Sequence, residues 1–558
     1  MKAAVFAARA RERLSFEGLF LLILLVTIAL RFYALDLKLF HHDEAIHAWF
    51  SYRLLTEGTY SYDPMYHGPF LYYMTAGIFS LLGDSDLVGR LLPALLGTLL
   101  VPLLYPIYKL GYLDRKQTLV AALFLAVSPN MVYFSRFLRN DIFIAFFSMV
   151  LLVALLYYFE RQKMQYALIA GAAIGFGMSA KENMPIIILI FGVYLLYLIW
   201  TRKVRLPARW IRDLALGALV AVGIMAIFYS SFGAHPEVLM DGWLRAIEHW
   251  TSMHQAQRLG GPPYFYILLF LLYEVPILIL AGVGVLQFVD IPGIVSRWRE
   301  RRTGHAESPG ETEGAKEEET APEAVAPPIE LAQGFKDRLR EILSGTGELR
   351  PIDRQKEFAR FAIFWMLLSL TVYAYIGEKV PWLILHQLLP MIFVAAYMMT
   401  TKKAVIAVLA GIFLVAMTFH VTFTPADINE PIVQVQNSED LREVFAKIDA
   451  ADKVAVATDS YWPLPWYYRG DRASKLAYYS QKVSEPTIYG GDFDLVITHD
   501  GDTYPTLEGY VMKTSRLNYW FSYEENKERL LEYYFLRDGK MGSRNLEVFS
   551  RVPAGTTT

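Results

Sequence analysis

Cysteine is absent from the 558 residues, and charge is scarce: 19% of positions are Asp, Glu, Lys or Arg, against 54% hydrophobic and 15% aromatic. Without cysteine there is no secreted disulfide scaffold. A formal net charge of −2 with no basic domain excludes a nucleic-acid binder. Soluble chains carry about 25% charged residues, so too little polar surface is available here to coat an ordinary globular enzyme. What the chain has instead is long uncharged runs, each long enough to cross a bilayer, alternating with short charged stretches. That pattern describes a polytopic membrane protein.

The first sixteen residues hold Lys2, Arg9, Arg11 and Arg13 and lead into an apolar run from Gly18 to about Leu35. Arg31 near its end, and Asp36 without a small-residue cleavage site, predict a retained first span with a cytoplasmic N-terminus. Further spans are expected at 88–112, 117–134, 141–159, 164–180, 184–200, 214–232, 263–289, 358–377, 381–399 and 404–423, about eleven transmembrane helices in all. Alternate connections are basic: Lys109/Arg115/Lys116, Arg161/Lys163, Arg202/Lys203/Arg205/Arg209, Arg297/Arg299/Arg301/Arg302 and Lys402/Lys403. All fall on the side of the N-terminus, which places the C-terminal segment outside.

The expected organisation is therefore a mainly α transmembrane domain, 1–423, followed by a small extracytoplasmic α/β domain, 424–558. Within the first lies an external loop, 36–86, whose apolar stretch Phe70–Leu82 is short enough to rest in the interface. A cytoplasmic loop, 290–357, includes a Pro/Glu/Ala/Gly-rich part, His305–Pro328, expected to be disordered. After it, Leu331, Phe335, Leu339, Ile342 and Leu343 share a helical face opposite Lys336, Arg338 and Arg340, which suits either an inner-leaflet helix or a solvated linker helix. In the outer domain, Lys453–Thr458, Asp494–Thr498, Gly509–Ser515 and Asn545–Val552 read as strands, and Asn437–Ala450 and Asn526–Phe535 as helices.

Placing the polar residues on this topology gathers them on one face. Of eleven histidines, only His305 lies in a cytoplasmic segment. Four mixed-sign clusters meet outside: His41-His42-Asp43-Glu44, Arg136/Arg139/Asp141, Lys181/Glu182 and Glu378/Lys379. Together they predict an outward-opening polar cavity with apolar walls that admit a lipid. In HHDEAIHAWF (41–50), Asp43 and Glu44 open a helix whose dipole favours them, so a plain capping role competes with a functional one. Three imidazoles beside two carboxylates make a divalent metal possible, although His42 and His47, five apart, do not share a helix face. No cofactor is otherwise indicated.

Asp-Glu-Ala after the first span, YSYDPMYHGPFLYY (60–73) and GRLLPALLGTL (89–99) resemble the polytopic lipid-linked-sugar glycosyltransferases. The likeness is to the protein O-mannosyltransferase and aminoarabinose-transferase branch of the GT-C superfamily. It continues through YFSRFLRNDIFIAFF (133–147), GFGMSAKENMP (175–185) and GEKVPWLILHQLLP (377–390), and covers most of residues 15–425. Within the group, the chain is most similar to a bacterial and archaeal family of flippase-activity-associated membrane proteins. The resemblance implies an inverting transfer from a polyprenyl-phosphate-linked sugar to an acceptor hydroxyl on the outer face. It implies Asp43 as general base, with Asp141, the second acidic position, orienting the acceptor or supporting Asp43, and Glu44 as a further catalytic carboxylate. Arg136, Arg139, Lys181 and Lys379 are the cations available to the leaving phosphate. His42, His67, Glu182, Glu378, Trp382 and His386 are further candidates. His67 stands where some relatives carry a lysine, and a neutral imidazole is a weaker anion partner. The acceptor, whether protein, lipid or polysaccharide, is not specified.

Plainer roles compete. Arg136 and Arg139 can snorkel at an interface, Lys181 and Glu182 can pair to close a helix end, and Glu378 to Trp382 can form an interfacial turn. Glu274 reads as either a buried functional acid or an interfacial one. WPLPWYY (462–468) can stack on a sugar or pack against the membrane or the outer domain's own core. A non-catalytic protein that binds lipid-linked sugars or assists their translocation is the alternative to an enzyme.

Overall fold

Apolar runs become helices because a backbone in hydrocarbon must satisfy its own hydrogen bonds. The computed structural model of the protein describes residues 2–58, 60–256, 261–289, 334, 337, 340–341 and 348–552. The segment His305–Pro328, the basic group from Arg297 to Arg302 and the apolar face Leu331–Leu343 lie outside the described residues. The helical part comprises α1 (Lys2–Phe32), α2 (His42–Glu57), α3 (Phe70–Leu82), three short helices between Asp86 and Lys109, α4 (Arg115–Val127), α5 (Pro129–Ser135), α6 (Asp141–Arg161), α7 (Met164–Ala180) and α8 (Met184–Trp200). It continues with α9 (Trp210–Tyr229), α10 (Val238–Ala256), α11 (Phe265–Tyr273), α12 (Val275–Val289), α13 (Arg354–Tyr375), α14 (Leu385–Ala396) and α15 (Thr401–Phe423).

Each of the eleven expected spans is helical, but they are not equivalent. Among the described residues, six helical stretches are long and apolar enough to cross a membrane: Ser15–Phe32, Asp86–Lys109, Asp141–Arg161, Trp210–Tyr229, Arg354–Tyr375 and Thr401–Phe423. Two more are bent pairs, α4 with α5 at 56° and α11 with α12 at 109°. The helices α7 and α8 have 17 residues each, about 26 Å of length, slightly less than a hydrocarbon core of about 30 Å. Leu21, Leu22, Leu25, Val408, Leu409 and Ile412 are exposed on the outsides of α1 and α15, where lipid is the natural solvent.

One carboxyl group joins the two bends. Pro129 stands at the start of α5, where its missing N–H costs no helical bond, and Ser128 caps that helix by accepting from Met131 N at 3.2 Å. Glu274, at the α11/α12 bend, accepts from Ser128 Oγ (2.6 Å), Asn130 N (3.1 Å) and Asn130 Nδ2 (3.0 Å), all at Oε1. It is fully buried inside the protein. Elsewhere small residues set the spacing. A Cβ on Gly171 of α7 would meet Gly217 O of α9 at 2.1 Å, so only glycine lets these backbones pack so closely.

After α15 the chain forms a six-stranded sheet from β1 (Gln436–Asn437), β2 (Val454–Val456), β3 (Leu476–Tyr478), β4 (Leu495–His499), β5 (Tyr510–Phe521) and β6 (Met541–Arg551). The order is β1-β5-β6-β4-β2-β3, with β2 parallel to β3 and β4 and the other pairs antiparallel. Alternation sends Val454, Val456, Leu495 and Ile497 to the face covered by Leu441, Val444 and Ile448 of α16 (Leu441–Ala450). Ala455 and Val496 go to the other face, with Ile488, Phe493 and Phe549.

The sheet is bolted to the helices at WPLPWYY. Trp466 has no exposed surface, lies against Phe79 of α3 (ring centroids 5.7 Å apart, 23°) and contacts Phe40 (5.4 Å). Its indole N–H and the Tyr467 hydroxyl donate to the two oxygens of Asp86 at 2.7 and 2.6 Å. These residues do pack, but Trp466 and Tyr467 do so against the helical part and not within the outer domain's own core. Trp466→Ala is expected to cost about 3–5 kcal/mol, seen as a lower thermal midpoint in detergent and faster proteolysis after residue 424. The half-buried Trp462, replaced by Ala, is the control with a smaller effect.

Candidate functional site

The site begins with the two residues that open α2. His41 Nδ1 accepts from Asp43 N at 3.0 Å and its Nε2 hydrogen-bonds Gln434 O, while Glu44 Oε2 accepts from His41 N at 2.9 Å. Burial pushes the His41 imidazole down to about 4, so the ring is neutral and acts as a cap. Glu44, fully buried, also accepts from Arg90 Nε (2.8 Å), Arg90 Nη2 (2.6 Å) and Leu138 N (2.7 Å). Four donors fill its four acceptor positions, which leaves it none for an acceptor proton. The catalytic role expected of Glu44 therefore gives way to a structural one.

Its neighbour Asp43 points the other way. The side chain of Asp43 is 29% exposed and pairs with Arg139 Nη1 through Oδ2. Arg139 lies over the Trp382 ring with its guanidinium carbon 3.7 Å from the centroid, and its Nε is 3.6 Å from Asp141 Oδ2. Asp141, 2% exposed, receives Lys181 Nζ at 2.8 and 2.9 Å and His386 Nε2 at 3.2 Å. Asn183 Nδ2 lies 3.3 Å from His386 Nε2, and the His386 ring stacks on Tyr373. Burial alone raises the Asp43 carboxyl, but Arg139 and the nearby histidines outweigh it and hold the group well below the usual range. Burial lowers Lys181, partly offset by Asp141.

A second wall comes from the external loop and α10. His67 Nδ1 is 3.1 Å from Glu182 Oε2, its Nε2 is 3.5 Å from Arg139 Nη2, and its ring stacks parallel on Trp250 at 5.4 Å. Tyr62 donates to Glu182 Oε1 at 3.2 Å. Burial and Lys181 hold His67 below its ordinary value, hence neutral. Gly68 makes this approach possible: its N–H donates to Ala180 O at 3.2 Å, and a Cβ there would meet Ser179 O at 2.2 Å. Glu378 is half-buried and acts electrostatically on Lys181. His42 opens the same turn of α2 as Asp43.

Arg136 and Lys379 have a different task from the phosphate binding expected of them. Arg136 donates to the carbonyls of Arg31 (3.1 Å), Tyr33 (2.6 Å) and Ala34 (2.6 Å) at the end of α1. Lys379 Nζ donates to those of Tyr373 (3.2 Å), Ala374 (3.1 Å) and Ile376 at the end of α13. Both satisfy helix C-termini, where the dipole also favours a cation. Lys379 still lines, with Phe265, Leu268, Leu269, Trp520 and Gln434, an apolar cavity of about 270 Å³ between α11 and the sheet. As to a metal, no three His, Asp or Glu side chains among the described residues group to hold one. The carboxylates are matched instead to Arg90, Arg139 and Lys181.

One residue escaped the sequence reading, and another was weighed only as a metal ligand. Arg90 lay unremarked inside GRLLP; its role depends on the Leu35, Lys38 and Leu39 carbonyls, to which it donates at 2.7–3.2 Å. His47 is buried one turn beyond Asp43, an i,i+4 relation that its sequence position already contained. Arg90→Ala leaves Glu44 buried and uncompensated, an expected loss of about 3–5 kcal/mol. A Glu44→Gln/Arg90→Met double variant recovers part of it, as measured by the thermal midpoint of the purified protein.

Residues 66–228 match the family described as dolichyl-phosphate-mannose-protein mannosyltransferase. No curated protein matches the chain by sequence. Among solved structures, the fold is similar to that of ArnT from Cupriavidus metallidurans bound to undecaprenyl phosphate, at 14% identity over 97% of this chain and 99% of that one, with a TM-score of 0.55. The Archaeoglobus fulgidus oligosaccharyltransferase aligns over 87% of this chain and 69% of its own at 13% identity, with a TM-score of 0.45. The match to ArnT runs through the helices and the sheet alike, and the chain thus has that fold: a mainly helical, multi-pass membrane bundle followed by a small sheet domain.

Proposed function

We propose that the protein is a membrane glycosyltransferase that moves a sugar from a polyprenyl-phosphate donor to an acceptor hydroxyl at the outer face, with inversion and with Asp43 as general base. The observation that carries this reading is the contrast among three carboxylates. Glu44 is saturated and Asp141 is buried under Lys181 and His386, whereas Asp43 is accessible and has Oδ1 unengaged among the described residues. A base must reach the hydroxyl it deprotonates, and of these three only Asp43 is exposed enough to do so.

Arg139 supplies the link to the donor. Its guanidinium is shared between Asp43, Asp141 and the face of Trp382, with Lys181 close behind. A phosphate entering beside it competes with Asp43 for the same N–H groups. The donor's arrival therefore loosens the clamp on Asp43 and raises its basicity when the acceptor needs it. As the bond to the sugar breaks, Arg139 and Lys181 stabilise charge on the departing phosphate. The apolar cavity of about 270 Å³ beside Lys379 offers walls to an isoprenoid or acyl chain.

Asp43→Asn is expected to lower sugar transfer at least about 100-fold in proteoliposomes, with the thermal midpoint retained. Transfer at near wild-type rate would overturn the base assignment and favour a protein that binds or helps move lipid-linked sugars without catalysis. The pH dependence gives a second test. With its pKa held low, Asp43 is ionised throughout pH 5–8, so its protonation contributes no loss of rate across that window. In Arg139→Gln the raising effect of burial is unopposed by the guanidinium, and the acid limb of the rate profile is expected to move up in pH.

A further inference from the structure

His47 takes no part in the clamp just described, yet its hydrogen bonds fix its tautomer and leave its second nitrogen without a partner among the described residues. Its side chain is 3% exposed. Nδ1 lies 2.7 Å from the Tyr72 hydroxyl, and that hydroxyl donates its only hydrogen to Tyr66 O at 2.7 Å. The hydrogen between His47 and Tyr72 must then belong to Nδ1. The ring is neutral, because burial and the nearby Arg139 hold it well below the usual histidine range. In a neutral ring with Nδ1–H, Nε2 is a bare acceptor, and it has no partner among the described residues. A buried acceptor without a donor is costly unless a ligand completes it.

The setting restricts what that ligand can be. His47 follows Asp43 by one turn on the same face of α2, with Arg139, His67 and Lys181 as its electrostatic neighbours. The protein's own donors nearby are committed, Arg139 to Asp43 and Lys181 to Asp141. On the reading of the site as a sugar-transfer centre, the attacking hydroxyl has a single hydrogen, which goes to Asp43. A phosphodiester at neutral pH brings none, nor does an isoprenoid chain. A water fills such a position in an unliganded site; of the donor's own parts, the one that brings a hydrogen in its place is a hydroxyl on the sugar. We propose that His47 Nε2 accepts a hydrogen bond from a hydroxyl of the donor sugar near the reacting carbon, so that one helix face reads both the acceptor and the donor. The proposal rests on the glycosyltransferase reading and makes the site selective for sugars that carry that hydroxyl.

The test uses the full-length protein in proteoliposomes with undecaprenyl phosphate mannose and its monodeoxy analogues. The wild type is expected to lose at least about tenfold in kcat/KM on one analogue, because a site built to bond a hydroxyl rejects a substrate lacking it. His47→Phe should treat that analogue and the parent within about twofold of each other, and His47→Asn, which restores an acceptor, should regain part of the discrimination. Equal discrimination by wild type and His47→Phe overturns the proposal. A readout independent of transfer is the 15N resonance of His47 Nε2 in histidine-labelled protein, assigned through His47→Phe. It should show an unprotonated Nε2 without ligand and move on adding undecaprenyl phosphate bearing mannose, glucose or 4-amino-4-deoxyarabinose. A protonated Nε2 at the start, or no sugar-dependent change beyond that caused by undecaprenyl phosphate alone, overturns the proposal. A sugar-dependent change without transfer would leave His47 as proposed and place the failure on the catalytic reading.

Discussion

Glu44 and Arg90 form a buried ion pair whose every hydrogen-bonding group is used. Arg90 spends its donors on Glu44 and on the carbonyls of Leu35, Lys38 and Leu39; Glu44 takes Arg90, His41 N and Leu138 N. Three separate stretches of chain are thereby set in register: the exit from α1, the start of α2 and the turn before α6. Buried pairs of this kind contribute little net stability when compared with apolar packing, but they are unforgiving of misalignment. The consequence appears one residue along on each strand of the contact. With Glu44 locked to Leu138, their neighbours Asp43 and Arg139 are brought face to face. The site is a by-product of that registration.

A related constraint explains the unusual number of cations that bind carbonyls. Helices that end or bend within the bundle expose carbonyl oxygens that water does not reach. Arg31 answers Leu125 O and Ala126 O at the end of α4, Arg136 answers the end of α1, and Lys379 answers the end of α13. The same need operates at the opposite helix pole, where Glu274 takes the first N–H of α5, that of Asn130. Charge that a sequence reader assigns to substrate is in part charge that the irregular backbone requires.

This accounts for what was and was not legible in the sequence. The positions of the helices were readable because hydropathy is a property of contiguous residues, and the strands at 454–456 and 495–499 because they are short, apolar and bounded by turns. The gathering of Asp43, Arg139, Asp141, Lys181 and His386 followed from motif order and topology. The division of labour within each motif was not readable. Nothing local distinguishes Asp43 from Glu44, or Arg139 from Arg136; the distinction lies in partners some 50 to 100 residues away, namely Arg90, Leu138 and the carbonyls at the end of α1. The bends at Ser128 and Glu274 were not anticipated, since 117–134 and 263–289 read as single spans; Pro129 and Pro276 stand beside them, but proline alone does not say that two bends share a carboxyl group. His47 was hidden by attention to histidine–histidine spacing, when its informative spacing was to Asp43.

The joint between sheet and helices bears on what counts as a part of this molecule. Asn437 Nδ2 and Gln436 Nε2 donate to the carbonyls of Phe40 and Leu39, Gln434 O accepts from His41, and Asp86 receives both Trp466 and Tyr467. The turn that carries Asp43 is thus held on one side by the helices and on the other by chain synthesised some four hundred residues later. During biogenesis these contacts of Leu39, Phe40 and His41 form only once that later chain has folded, so the geometry around Asp43 waits on the sheet.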